Sequence, residues 1–244
     1  MSATRTQSRT SELVGPLGED LAALRKRALL TLRRLKRAYP DATIPLVYSS
    51  PLELMVATIL SAQCTDARVN EVTATLFKKY RSAEDWASVD IKTLEREVHP
   101  TGFFRNKARA IKESTRDLLE RFEGEVPRTL EELTTLRGLG RKSANVLITH
   151  AFGGQGIVVD THFRRITRRL GLTGQMDPVK IEHELMEIVP RKRQADFSLY
   201  INWHGRVTCF ARKPDCAGCP ARKDCPARKS AGEIIWKTKT TGAR

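Results

Sequence analysis

The chain has 244 residues, enough to bury a core in one domain or two, and 43 Lys and Arg against 28 Asp and Glu give it a formal net charge of +15 at pH 7. A charge of this size attracts polyanions, so nucleic acid is the expected partner. No apolar run approaches the roughly 20 residues that a membrane span needs, and residues 1–11 are too polar for a secretory signal. We therefore expect a cytoplasmic, nucleoid-associated protein without a membrane partner.

Apolar spacing and capping residues predict helices along the whole chain and no pair of strands, so the expected fold class is all-α. A basic extension, 1–16, is expected to be disordered. Ser50 and Pro51 begin a helix that is apolar nearly all round, as a central buried helix would be. The other helices are predicted at 17–39, 67–80, 83–88, 91–98, from the turn at 99–107 to about 122, at 127–133, after Gly140, and at 162–170, 178–189 and 193–204. The only extended apolar piece is 157–159.

Two glycines, Gly138 and Gly140, separate the predicted helix over 127–133 from a helix whose first turn contains Lys142. Glycine permits left-handed backbone angles and lets a phosphate or another backbone come close. The free N–H groups and the dipole at the start of the second helix favour an anion there. The pattern fits a phosphate-binding turn as well as an ordinary connection between two helices, so the surrounding residues have to decide.

Four of the five cysteines lie within seventeen residues with the spacing C-x6-C-x2-C-x5-C: Cys209, Cys216, Cys219 and Cys225. Thiolates this close together in a reducing compartment need a metal partner, and both zinc and iron–sulfur clusters take four of them. Only one pair is close, which favours an iron–sulfur cluster over zinc. Arg212 and Lys213 lie inside this loop and either contact DNA phosphates or form a solvated basic tail. The fifth cysteine, Cys64, is expected to pack in the interior.

Three motifs together give the chain a resemblance to the endonuclease III family. The members of this family are bifunctional DNA glycosylases and AP lyases of the helix-hairpin-helix superfamily. They are Leu-x-Gly-x-Gly-Arg-Lys from Leu136, Val-Asp-Thr-His from Val159, and the four-cysteine loop. Leu-Ser-Ala-Gln-x-Thr-Asp at 60–66 and His-Gly-Arg at 204–206 also match. The resemblance covers about Leu24 to Cys225.

The resemblance implies two helical domains that flank a DNA-binding cleft. A six-helix barrel with the helix-hairpin-helix would cover 44–154, and a discontinuous domain with one [4Fe-4S] cluster on the four cysteines would cover 17–43 and 155–228. A basic tail, 229–244, would follow. The implied function is to excise oxidised pyrimidines from damaged double-stranded DNA and to cut the strand by β-elimination, and we expect a monomer.

The resemblance also assigns the catalytic roles. Lys142 matches the nucleophile, which attacks the sugar C1′, expels the base and forms a Schiff base. The amine must be unprotonated to attack, and Arg141 and the positive helix end both disfavour its protonation. Asp160 matches the catalytic aspartate, which stabilises positive charge at C1′ and moves protons. Taken without this context, Lys142 would be a phosphate contact and Asp160 a helix N-cap.

The DNA contacts come from the same match. Gln63 matches the glutamine that fills the space left by an extruded base. Phe103 matches the wedging side chain, where leucine is expected, although Phe103 or Phe104 could instead belong to the core. Arg137 stands where the hairpin commonly has proline and adds a cation to the turn. The predicted contacts are Gln63, Phe103, Arg137, Gly138, Gly140, Arg141, Arg212 and Lys213.

Two other functions compete with this interpretation. The adenine mismatch glycosylases of the same superfamily share the hairpin and the cysteine spacing, but typically lack lysine at the position of Lys142 and carry a further mismatch-recognition domain, which we do not expect here. A non-catalytic, metal-stapled DNA-binding protein would use the hairpin only to hold phosphates. The combination of Lys142 and Asp160 argues against it.

Overall fold

The computed structural model describes residues 18–229, and every regular element within that range is helical. The predicted all-α fold class is thus confirmed. The extension 1–16 and the tail beyond residue 229 lie outside the described range. None of the helices between residues 18 and 229 has both the length and the hydropathy needed to cross a membrane. In chain order the α-helices are α1 Leu21–Ala38, α2 Pro51–Leu60, α3 Asp66–Lys79, α4 Ala83–Ser88, α5 Ile91–Val98, α6 Phe104–Arg121, α7 Leu130–Leu133, α8 Arg141–His150, α9 Thr161–Arg169, α10 Pro178–Ile188 and α11 Gln194–Val207.

Capping side chains set the helix starts. The Ser50 hydroxyl accepts a hydrogen bond from the Glu53 N–H at 3.2 Å, as predicted for α2. The predicted helix over 127–133 is too long, because α7 begins only at Leu130. Thr129 takes the N-cap position there, and its hydroxyl accepts from the Glu132 N–H at 3.2 Å. The prediction for α11 is too short, since that helix continues to Val207.

The chain divides into two compact units. The cysteine unit comprises the described parts of Met1–Pro40, Thr161–Pro190 and Tyr200–Arg244, and the hairpin unit comprises Asp41–Asp160 and Arg191–Leu199. The hairpin unit therefore continues past the predicted domain limit at residue 154. Its apolar core includes Val158, whose backbone N–H donates to the Ser198 hydroxyl at 2.9 Å.

Helix α2 is the centre of the hairpin unit. Every residue from Leu54 to Leu60 is buried, and the helix packs against α3, α6 and α8. A helix with no solvent-facing side must be apolar on all faces, which accounts for the sequence of α2 and confirms its prediction as a central buried helix.

The cysteine unit is built on α1 and α10, which pack together through the apolar face of α1. Arg27 is buried on α1 and pairs with Glu19 at 2.6 Å. Its guanidinium also donates to the carbonyls of Leu170 and Gly171, just after α9. A buried charge is tolerated because its donors are used, and here it ties α1 to the end of α9.

Candidate functional site

The hairpin between α7 and α8 is seated on the core by its first glycine. Gly138 has a φ of +83°, which favours glycine, and a Cβ there would lie 2.9 Å from the Ala110 Cβ of α6. Leu136 and Leu139 on either side are buried. Glycine at this position thus lets the hairpin backbone pack closely against α6. The two buried leucines anchor the turn in the core of the hairpin unit.

The second helix of the motif begins without a side-chain cap. Gly140 occupies the N-cap position with φ of −87° and, having no side chain, gives the first N–H groups of α8 no cap. A Cβ at Gly140 would meet no atom within 4 Å, so the space in front of the helix is open. Uncapped N–H groups at an open helix end bind anions well, and the structure therefore favours a phosphate-binding turn over a plain connection.

Lys142 is exposed in the first turn of α8, and the preceding Arg141 is half-buried. The predicted nucleophile therefore lies beside the uncapped N–H groups at the open end of the helix. A phosphate held by those groups would bring a nucleotide next to the Lys142 amine. The assignment of Lys142 as the nucleophile stays a prediction.

The segment that carries Asp160 runs back along α8. The Gly154 N–H donates to the Ile148 carbonyl at 2.8 Å, and a Cβ at Gly156 would lie 2.8 Å from Oδ1 of Asn145. Gly156 thus contacts α8 nearer its N-terminus than Gly154 does. The segment therefore runs toward the end of α8 that carries Lys142. Asp160 is half-buried and comes directly before α9, at the N-cap position.

Arg137 in the hairpin forms an ion pair with Glu113 of α6, with 2.6 Å between Nη1 and Oε2. Both side chains are partly exposed, at 47% and 41%. The Glu113 carboxylate offsets the positive charge that Arg137 adds to the turn. A DNA phosphate would therefore compete with Glu113 for the Arg137 guanidinium. Exposed pairs of this kind contribute only about 0.2–1 kcal/mol, so a phosphate can compete for the guanidinium.

Glu113→Gln is expected to tighten binding to undamaged duplex DNA about three- to tenfold at low salt and to steepen the salt dependence of log K by about 1. The substitution removes a negative charge beside the turn and leaves Arg137 to a phosphate. Fluorescence anisotropy across a salt series measures both quantities. Glu71→Gln, which removes an exposed carboxylate paired with Arg68 on α3, is the control. Equal effects of the two variants would contradict a special role for the hairpin pair.

Gln63 and Phe103 share an uncommon backbone conformation. Gln63 follows α2 with φ of 52° and Phe103 precedes α6 with φ of 47°, both left-handed and neither glycine. Such conformations cost of order 1–3 kcal/mol each and cluster at functional sites. Gln63 is exposed, and Phe103 is 60% exposed.

Of the two adjacent aromatic residues, only Phe103 projects outward. Phe104 is half-buried against the core, with its ring centroid 4.6 Å from that of His99. Of the two, Phe103 is the one exposed enough to act as the predicted wedge, and that role stays a prediction. Cys64, expected in the interior, is half-buried and packs against the core of the hairpin unit.

The four clustered cysteines line one cavity in the cysteine unit, together with apolar side chains such as Ile166 and Leu170. All four are half-buried thiols. Burial raises the pKa of Cys219 to about 11 and also raises that of Cys225, with repulsion from the other cysteines adding to the effect. In residues 18–229 no three His, Cys, Asp or Glu side chains are drawn together around a single metal ion.

Two further polar side chains contact these sulfurs. The Arg169 guanidinium donates to Sγ of Cys209 at 3.3 Å and to the carbonyls of Phe210 and Ala211. His204 Nε2 lies 3.6 Å from Sγ of Cys219. The His-Gly-Arg match at 204–206 pointed to the histidine, but nothing in the sequence singled out Arg169.

His204 is held by a hydrogen-bond network. Its Nδ1 is 2.7 Å from the Tyr39 hydroxyl, which is also 2.7 Å from Oγ1 of Thr208. Burial, together with the nearby Arg165 guanidinium, lowers the pKa of His204 to about 4. The imidazole is therefore neutral near pH 7 and carries a single N–H, and a bond from the Tyr39 hydroxyl to Nδ1 would leave that N–H on Nε2, facing Cys219.

The loop between the first two clustered cysteines presents its cations to solvent. Arg212 and Lys213 are both exposed, and Lys213 adopts a left-handed φ of 52°. Exposed cations suit contact with a phosphate backbone. Their predicted role in DNA binding stays a prediction.

A glycine hairpin seated on a helical core and followed by an uncapped helix with lysine in its first turn is the fold and site of a class of DNA-repair proteins. The chain belongs to that class: residues 56–191 match the sequence model of the HhH-GPD superfamily of base excision DNA repair proteins. Within it, the chain is 48% identical over 212 residues to Endonuclease III of Synechocystis sp., covering 86% of this chain and 97% of that protein.

Solved structures agree with this relationship. A non-covalent Endonuclease III–DNA complex matches with a TM-score of 0.80 at 39% identity, covering 84% of this chain and 97% of that one. A trapped Endonuclease III–DNA covalent intermediate matches with the same TM-score, identity and coverage. The sequence-based assignment to the endonuclease III family of base excision repair enzymes is confirmed.

Proposed function

We propose that this enzyme removes oxidised pyrimidines from duplex DNA and then cuts the strand at the abasic site by β-elimination through a lysine Schiff base. The observation that carries the proposal is that α8 begins behind Gly140, which supplies no capping side chain and has open space beside it, with Lys142 exposed in the first turn of the helix. A relative of high structural similarity was trapped as a covalent intermediate with DNA. An enzyme of this kind works on the chromosome, so we place it with the nucleoid.

The chemistry follows from the amine. The Lys142 nitrogen attacks C1′ of the damaged nucleotide, the bond from C1′ to the base breaks, and the base leaves with a proton. Opening of the sugar ring gives a Schiff base between Nζ and C1′. Its positive nitrogen acidifies the hydrogen on C2′, and loss of that proton breaks the bond from C3′ to its phosphate oxygen. Water then hydrolyses the Schiff base and frees Lys142.

Asp160 supports these steps from the segment that runs back along α8. A carboxylate near C1′ stabilises the positive charge that develops as the base leaves. It can also take a proton from the attacking amine and return it in the later steps. Asp160 also lies directly before α9, at the N-cap position. The same side chain can therefore cap α9 and assist the reaction.

A base inside a duplex is out of reach, so it must be extruded first. Gln63 and Phe103 are the exposed side chains of the hairpin unit that we assign to this task. Gln63 would fill the vacated space and hydrogen-bond to the orphaned base, while the Phe103 ring would separate neighbouring bases. The phenyl ring replaces the leucine that the family resemblance leads one to expect.

The four clustered cysteines fit a [4Fe-4S] cluster. The raised pKa values of Cys219 and Cys225 show that a thiolate is disfavoured there unless a cation compensates its charge, and all four cysteines line one cavity. When bound, the cluster would supply a structural crosslink that fixes the loop carrying Arg212 and Lys213. Arg169 and His204 would donate to its ligand sulfurs, which is the usual outer-shell role.

Cys219→Ser is expected to lower bound iron to below half of the wild-type content and to weaken the broad visible absorption in proportion, because one of the four thiolate ligands is lost. Iron analysis of the anaerobically purified protein measures it. Cys64→Ser, which changes the cysteine outside the cluster, should leave iron and colour unchanged. Colourless wild-type protein with one zinc per chain would contradict the cluster and support the zinc alternative.

The function is tested on a 5′-labelled duplex with thymine glycol opposite adenine. We expect excision of the lesion and a product with a 3′ unsaturated aldehyde, as β-elimination requires. An adenine–guanine mismatch duplex tests the adenine glycosylase alternative. Tight binding to every duplex without cleavage of any of them would contradict the proposal and support a non-catalytic DNA-binding protein.

A further inference from the structure

A buried lysine connects the two loops that carry Gln63 and Phe103. Lys107 on α6 is only 4% exposed. Its ammonium donates to the Leu60 carbonyl at 2.8 Å and to the Thr101 carbonyl at 2.7 Å. Leu60 is the last residue of α2, three positions before Gln63, and Thr101 ends the 3₁₀ turn two positions before Phe103. One side chain therefore holds both loops at their roots.

The two acceptors suit a cation. The carbonyls at the end of a helix lack partners within it and carry the negative end of the dipole. Burial lowers the pKa of Lys107 because desolvation disfavours the ammonium, and the two carbonyl hydrogen bonds offset part of that cost.

The loops themselves need such support. The left-handed backbones of Gln63 and Phe103 persist only where the surroundings determine them. Hydrogen bonds from outside each loop are one way to do so. The Lys107 ammonium gives one bond to each segment, so it fixes their separation as well as their individual positions.

We propose that Lys107 is a positioning residue for base extrusion, which sets the distance between the Gln63 loop and the Phe103 loop so that both side chains enter the duplex together. This rests on the proposed function, in which these two residues replace and separate bases. Lys107 contacts neither substrate nor reacting atoms. Its effect should appear only where a duplex has to be opened.

The same helix provides a matched control. Lys112 is also buried on α6, at 9% exposure, and its ammonium donates to the Ala87 carbonyl at 2.7 Å and to the Val89 carbonyl. These carbonyls end α4, and burial lowers the pKa of this lysine too. Lys112 therefore shares the chemistry and the burial of Lys107 but ties together residues without a role in the proposed site.

The experiment compares Lys107→Met and Lys112→Met on two substrates, a duplex and a single strand, each with one abasic site. The single strand has no partner to separate from. We expect Lys107→Met to lower kcat on the duplex about tenfold to a hundredfold, because misplaced side chains cost that much, and to leave cleavage of the single strand near the wild-type rate. Lys112→Met should change both substrates in the same proportion.

Fluorescence of 2-aminopurine placed opposite the abasic site reports directly on insertion into the duplex. Lys107→Met should lose most of the wild-type signal change, and Lys112→Met should keep it. If Lys107→Met does not fold, Lys107→Gln, which keeps an amide donor, replaces it in both assays. A duplex-to-single-strand rate ratio equal to wild type would overturn the proposal. Failure of the wild type to cleave either substrate would instead overturn the proposed function, since the fluorescence signal does not depend on chemistry.

Discussion

Lys142→Ala is expected to lower strand cleavage at an abasic site by at least about 10³-fold, since the amine that forms the covalent intermediate is gone. The side chain is exposed in the first turn of α8, and alanine is a good helix former. The free energy of unfolding should therefore stay within about 0.5 kcal/mol of wild type. The loss would then reflect chemistry and not folding. Single-turnover cleavage of an abasic duplex at saturating enzyme measures it.

Lys213→Ala is the matched control for this prediction. It removes an exposed cation from the cysteine loop, so it should weaken DNA binding and reduce its salt dependence by about 1. At saturating enzyme its cleavage rate should equal that of the wild type. A Lys142→Ala enzyme that cleaves within tenfold of wild type would contradict the assignment of the nucleophile.

Gly138→Ala is expected to reduce the free energy of unfolding by about 2–4 kcal/mol, because two costs add. The φ of +83° disfavours any Cβ, and the new methyl would lie 2.9 Å from the Ala110 Cβ on the core side of the hairpin. Urea denaturation followed by circular dichroism measures the change. DNA affinity should fall in the same variant, since the turn can relieve the contact only by lifting from α6.

Gly140→Ala is the control two residues away. Its φ of −87° suits alanine, and a Cβ there meets no atom within 4 Å. Only the preference for glycine over alanine at an N-cap is lost, which costs about 1 kcal/mol or less. Equal destabilisation by the two substitutions would contradict the account of Gly138 as the residue that seats the hairpin on the core.

Features fixed by neighbouring residues could be predicted from the sequence. Ser50 before Pro51 marks the start of α2, because the cap and the first turn involve only four residues. The start of α7 shows where this reasoning is weaker: Pro127 suits a first helical position, but the helix begins at Leu130, behind the Thr129 cap. The family motifs identified the hairpin and the cysteines for the same reason, since each lies within a short stretch.

Features that depend on folding could not be predicted. Arg137 and Glu113 are 24 residues apart, and no local pattern joins them. The two carbonyls bound by Lys107 lie 47 and 6 residues away, and a lysine in an amphipathic helix would normally be taken as solvent-exposed. The left-handed backbone at Phe103 had no signal either, because such angles are usually marked by glycine.

The central claim is that the Lys142 amine forms a covalent bond to the sugar, and borohydride reduction tests it most directly. Wild-type enzyme mixed with a labelled abasic duplex and sodium borohydride should give a stable protein–DNA adduct on a denaturing gel. Lys142→Ala should give none, and peptide mapping should place the wild-type crosslink on α8. No adduct with the wild type, or an equal adduct with Lys142→Ala, would contradict the account.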